Sequence, residues 1–138
     1  MATENSNVSV LRELYQDWHD TKGGCVERVI AAMDENVELS SLANGLQGAE
    51  FTKRCSCSAE VRGYFKGLLD DWSMDHYKVH DFIADGNRVV AVCHTAWTNK
   101  HTGKKVETPK VDIWCFESGK IISLAEYYDT AALVAAAT

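Results

Sequence analysis

The sequence predicts an α+β domain: a curved, mostly antiparallel sheet packed on three helices of the N-terminal half. Apolar residues recur at helical spacing in three segments before residue 73. Beyond it the pattern changes to period two. The turn signals Asp85-Gly86-Asn87, 99–104 and 117–120 split that part into a four-stranded meander. No repeat, linker or low-complexity block interrupts the 138 residues, which are enough for one core and too few for two. One domain over 1–138 is therefore expected.

Val8, Leu11, Tyr15 and Trp18, with Leu14 beside them, place an amphipathic helix over about residues 8–21, ended by Gly23-Gly24. Val26, Val29, Ile30 and Met33 give a short second helix that Asp34-Glu35-Asn36 terminates. Residues 37–42 read as a strand, and 43–57 as a long loop of the kind that lines binding sites. Ser58 is placed as an N-cap with Glu60 in the first turn, and Val61, Phe65, Leu68, Leu69 and Trp72 mark one face of a third helix. The meander strands are 77–84, 88–98, 105–116 and 121–128. Pro109 lies inside the third, which predicts a bulge or an edge position there.

Composition excludes several functions. A formal net charge of −6 without a basic patch argues against nucleic acid as a partner. The N-terminal Met-Ala-Thr-Glu-Asn-Ser-Asn has no apolar signal core, and no window approaches the ~18 apolar residues of a membrane span. Five cysteines, an odd number, with no export signal point to reduced thiols in the cytoplasm.

The segment from Lys110 to Asp129 carries the strongest chemical signal. Period-2 alternation sets Val111, Ile113 and Cys115 on one side and Asp112, Trp114 and Phe116 on the other. A carboxylate between two aromatics on a buried strand is costly unless paired, hydrogen-bonded or protonated. Two readings stay open for Asp112: a group serving chemistry, or a carboxylate held by backbone amides at a Pro109 bulge, by Lys110 or by a neighbouring strand. His94 shares a strand face with Val90 and Val92, and reads either as a satisfied core histidine or as a general base oriented by Asp112 in one pocket. Asp129, before Thr130 and an Ala-rich tail, reads first as a helix N-cap and second as a site residue. Tyr15, an aromatic at helical spacing, reads first as core and second as a site residue. Trp18, Phe65, Trp72, Trp97, Trp114 and Phe116 are core aromatics of which some line the pocket and meet a ligand. His76 and His80 have metal-like spacing but fall at the turn to strand without an obvious third ligand, and Cys55-Ser56-Cys57 lacks a second pair, so no metal is expected.

The element order, with Asp-Gly-Asn-Arg-Val-Val-Ala-Val at 85–92 and Phe-Glu-Ser-Gly-Lys-Ile-Ile-Ser-Leu-Ala-Glu-Tyr-Tyr-Asp at 116–129, resembles the SnoaL-like branch of the NTF2-like superfamily. That superfamily includes ketosteroid isomerase, scytalone dehydratase, limonene epoxide hydrolase and polyketide cyclases. The resemblance covers nearly the whole chain and implies a cone-shaped fold, an apolar pocket and a homodimer. It matches Asp112 to the oxyanion-hole aspartic acid of ketosteroid isomerase and Tyr15 to that hole's tyrosine. It likens Asp129 to the terminal aspartate that acts as acid or base in polyketide cyclases. It also exposes a departure: the isomerase base would fall near Leu39, Ser40 and Ser41, where no carboxylate stands. The implied function is binding of a small, apolar, carbonyl- or hydroxyl-bearing molecule, with acid–base chemistry of isomerase, cyclase, dehydratase or hydrolase type and no cofactor. The alternative is a ligand-binding or dimerisation module without catalysis.

Overall fold

The structure, a computed structural model, describes residues 2–138. Its order is α1 (Ala2–Asp20), α2 (Val26–Ala31), β1 (Met33–Ser41), a 3₁₀ turn (Glu50–Thr52), α3 (Ser58–Asp71), β2 (Trp72–Asp85), β3 (Arg88–Asn99), β4 (Lys105–Glu117), β5 (Lys120–Tyr128) and α4 (Thr130–Ala137). One five-stranded sheet has the order β1-β5-β4-β3-β2. β1 runs parallel to β5 and every other pair is antiparallel. The predicted α+β class and the three hairpin turns hold. α4 adds a fourth helix, and Asp129 caps it by accepting the Ala132 N–H at 2.9 Å.

The helices follow their apolar stripes. Leu11, Leu14, Tyr15 and Trp18 of α1 are buried, as are Val61, Tyr64 and Phe65 of α3. α1 ends where the Gly23 N–H donates to the Trp18 carbonyl, with Gly23 in the left-handed region at φ 84°. Ser58 is the first helical residue rather than the cap. Cys57 holds that position without a side-chain bond, and Glu60 reaches back to accept the Ser56 N–H at 2.6 Å. The acidic 34–36 run does not stop a helix but lies inside β1. The β1–β5 register is irregular between Met33 and Glu38, so the acidic residues are carried to the exposed side while both flanks stay paired. Pro109 causes no bulge. β5 pairs with β4 only from Lys110 onward, so at Pro109 β4 is locally an edge on that side.

Bulges decide which residues face inward. β2 has register shifts between Met74 and His76 and between Val79 and Asp81. Its inward residues therefore run Met74, then Tyr77 and Val79, then Phe82, instead of keeping one parity. A third shift, between Cys115 and Phe116 of β4, leaves Ile122 of β5 as the extra residue and sets Glu126 opposite Asp112.

The 3₁₀ turn seats against α3 at Gly67, where an added Cβ would lie 2.6 Å from the Phe51 Cβ. Alanine normally stabilises a helix interior by up to ~1 kcal/mol over glycine. Here overpacking outweighs that gain, and Gly67→Ala is expected to lose about 1–2 kcal/mol in urea unfolding. A stabilised variant would show that the Phe51 loop yields freely.

Candidate active site

An apolar cavity of about 110 Å³ lies between the helices and the inner face of the sheet. Leu14, Tyr15 and Trp18 of α1 line one side, Tyr64, Phe65 and Leu68 of α3 another, and Trp72, Tyr77, Trp97 and Trp114 the sheet. Phe51 and Leu133 are lining residues that also reach solvent. A volume of this size holds several waters or part of a small organic molecule.

The polar end of the cavity is a buried charge network. Asp112, 1% exposed, accepts hydrogen bonds on Oδ2 from the hydroxyls of Tyr15 and Tyr77, each at 2.6 Å. Lys110 Nζ donates to Asp112 Oδ1 at 2.8 Å, to Glu126 Oε2 at 2.7 Å and to the Tyr77 hydroxyl at 2.6 Å. The Tyr64 hydroxyl donates to Glu126 Oε1 at 2.6 Å, and the Trp114 indole N–H to the Tyr15 oxygen at 2.7 Å. One cation thus stands between two carboxylates, and three tyrosine O–H groups satisfy the remaining charge.

This geometry settles how Asp112 is held. With three donors converging on it, including an ammonium, the carboxylate accepts and does not donate. Tyr15 spends its proton on Asp112 instead of aiming it into the cavity. The pair is present, but in this arrangement it is not two donors facing a common acceptor. Asp112 is paired with Lys110, one of the partners expected of it.

The electrostatics follow from burial. Burial first, and the Asp112 carboxylate second, push the Tyr15 and Tyr77 hydroxyls well above the usual tyrosine range. Burial and then Glu126 do the same to Tyr64. Burial alone would push Lys110 down, but Asp112 and Glu126 outweigh it and hold the ammonium raised. Burial, reinforced by Asp112, pushes the Cys93 thiol up to about 12. All five cysteines are free thiols.

The other expected residues divide. Trp18, Phe65, Trp72 and Trp114 line the cavity with Tyr15 and Asp112, whereas Phe116 is buried outside that lining. The Trp72 indole N–H is buried and finds no acceptor among the described residues. His94 does not face Asp112. Cys93 points inward, its thiol 4.0 Å from Asp112 Oδ2, and His94 lies on the outer face with its ring stacked on His76. Asp129 is exposed and serves as the cap. Ser41, where the isomerase-like base is missing, pairs its hydroxyl with that of Tyr128 at 2.5 Å.

Glu126, Tyr64 and Tyr77 were not singled out from the sequence, and Lys110 was named there only as a partner that would hold Asp112. Lys110 had a legible signal, being two residues before Asp112 on the same strand face. Glu126 and Tyr77 had none, because each is turned inward by a bulge.

A search of the curated proteins finds no sequence match. Among solved structures, an NTF2-like protein of unknown function from Burkholderia pseudomallei K96243 superposes with a TM-score of 0.82 at 20% identity, over 96% of this chain and 98% of that one. TerC, co-crystallised with polyporic acid, gives 0.81 at 18% identity over 96% and 98%. An LEH-like epoxide hydrolase of M. tuberculosis gives 0.72 at 12% identity over 96% and 90%. At these identities the likeness is one of fold, and the fold is NTF2-like. The sequence profile of the SnoaL-like domain matches residues 11–124, most of the helical layer and the sheet, and the chain belongs to that family.

Proposed function

We propose that the cavity binds a small, largely apolar molecule bearing hydroxyl or carbonyl groups and that the chain catalyses proton transfer on it without a cofactor. The observation that carries this reading is the Lys110–Asp112–Glu126 network at the polar end of an apolar cavity. Its two carboxylates and one ammonium leave an excess negative charge, which favours neutral substrates that donate a proton and disfavours carboxylates and phosphates.

Glu126 is the group suited to act as base. Each of its oxygens accepts one bond, so two of about four lone-pair sites remain. Asp112 accepts from Tyr15, Tyr77 and Lys110 and, at 4.0 Å, from the Cys93 thiol, and is more deeply enclosed. In this reading Glu126 takes a proton from an acidic C–H or O–H, Tyr64 and Lys110 hold its orientation, and Asp112 with Tyr15 and Tyr77 fixes Lys110. Trp72 also lines the cavity, and its indole N–H, without an acceptor among the described residues, is in this reading a donor for a ligand acceptor. TerC's co-crystallisation with polyporic acid supports small organic ligands as the class.

The test is a panel of cyclic ketones and phenols in D2O, read by NMR for binding and for deuterium exchange at carbon-acid positions. At least one neutral member is expected to exchange, and Glu126→Gln to lower its rate by about 10²–10⁴-fold. Binding without exchange would return the chain to a ligand carrier. Native mass spectrometry of fresh protein, expected to show a co-purified adduct of small-molecule mass, names the class directly.

Homodimerisation and residence in a reducing compartment such as the cytoplasm complete the proposal. Val90, Val92, Val111 and Ile113 share the half-exposed outer sheet face, which a second copy would cover. Five unpaired thiols fit a reducing compartment.

A further inference from the structure

The outer face of the sheet carries a second cluster, on the side away from the cavity. His76 of β2, Ala96 of β3 and Glu107 of β4 form one cross-strand row, with His76 opposite Ala96 and Ala96 opposite Glu107. Directly opposed residues of antiparallel strands share a face, so both long side chains lean over the fully buried Ala96. His94, two residues before Ala96 on the same strand, stacks its ring on His76 at 5.2 Å between centroids. Glu107 Oε2 lies 3.4 Å from His76 Nε2 and 3.9 Å from His94 Nε2. The three ligand atoms fall within 4.8 Å of one another.

We propose that His76, His94 and Glu107 bind one divalent transition-metal ion, zinc first among them. Two imidazoles and a carboxylate are a borderline donor set of the type that holds Zn²⁺, Co²⁺ or Ni²⁺ rather than Ca²⁺ or Mg²⁺. In a tetrahedral zinc site with bonds of about 2.0–2.1 Å, ligand atoms sit roughly 3.3 Å apart. The His76–Glu107 spacing already meets that value, and His94 Nε2 lies 3.9 Å from the same Glu107 oxygen. All three side chains keep partial access to solvent, which supplies an entry path and a fourth position.

The backbone is arranged for this juxtaposition. Without the β2 irregularity between Met74 and His76, Asp75 would stand opposite Ala96 and His76 would turn inward. The second β2 irregularity falls at His80, whose exposed ring lies 6.5 Å from that of His94. Bulges are concentrated beside functional sites, and here two bracket one cluster. An ion at this point would tie three adjacent strands together, stabilising the sheet rather than reacting with a cavity ligand.

The test uses tag-free protein stripped with chelator, then titrated with Zn²⁺ by calorimetry and with Co²⁺ by visible absorption. One ion per chain is expected, with tetrahedral Co²⁺ bands free of thiolate charge transfer and a Tm that rises with Zn²⁺. His76→Ala, His94→Ala and Glu107→Gln should each weaken binding by at least about tenfold. His101→Ala, in the β3–β4 turn and paired with Asp71, should leave it unchanged. Absence of saturable binding, thiolate charge-transfer bands, or equal affinity in the three ligand variants would each overturn the assignment.

Discussion

Lys110→Met is expected to destabilise the chain by about 3–5 kcal/mol, because it strands two buried carboxylates that share one cation. For a domain of this size that loss lowers Tm by about 10–15 °C. The cost is electrostatic rather than a matter of volume, since methionine fills much of the space of the lysine stem. The triple variant Lys110→Met, Asp112→Asn, Glu126→Gln removes every charge of the network and should recover most of the loss. Thermal unfolding of both variants decides it. If Lys110→Met unfolds within about 2 °C of the parent, the network is hydrated and the burial argument fails.

Alkaline pH should unfold the chain steeply. Cys55, raised to about 11 by burial and then by Glu60, and Cys93, at about 12, keep their protons when folded but lose them near 8.5 when unfolded. Tyr15, Tyr64 and Tyr77 are likewise raised by burial and nearby carboxylates, against an unfolded value near 10. Above those unfolded values the unfolded state binds fewer protons, so stability falls as pH rises, by up to about 1.4 kcal/mol per unit for each group. The raised Lys110 adds to the same trend above about 10.4. Stability is thus undiminished by these groups below about pH 8, erodes first through the two thiols and then collapses as the tyrosines join. Circular dichroism and tyrosinate absorbance followed together against pH provide the check. Buried tyrosines should ionise only as the helices melt. Tyrosinate signal from all of them near pH 10 in still-folded protein would show that water reaches the network. Replacing both thiols, as Cys55→Ala with Cys93→Ala, should delay the onset to about pH 10.

Much of the fold was legible because it rests on local rules. The stripe Leu11, Leu14, Tyr15, Trp18 marks α1, and glycine-containing turns mark the hairpins. The inward face of β4 was also readable: Lys110, Asp112, Trp114 and Phe116 alternate without interruption and are all buried. α1 begins earlier than its apolar repeat, at Ala2, since polar residues continue a helix without contributing to the stripe. The active-site reading then went only part of the way. Asp112 and Tyr15 were both picked out and do meet, yet the pairing of His94 with Asp112 required one inward face for both. β3 turns Cys93 inward and His94 outward, a parity that the short apolar side chains around His94 leave ambiguous.

What the sequence by itself determined is the layer architecture, the strand order of the meander and the presence of an acid on an otherwise apolar strand, since each follows from spacing along one element. The tertiary structure alone decided that Glu126 and Tyr77 join that acid's network. A count from the 117–120 turn sets Ala125 opposite Asp112, and the extra residue at Ile122 replaces it with Glu126. The irregularities in β2 likewise turn Tyr77 toward the cavity and His76 toward Glu107. A single inserted residue reverses the facing of everything beyond it, and its position depends on how whole strands pair rather than on any local preference.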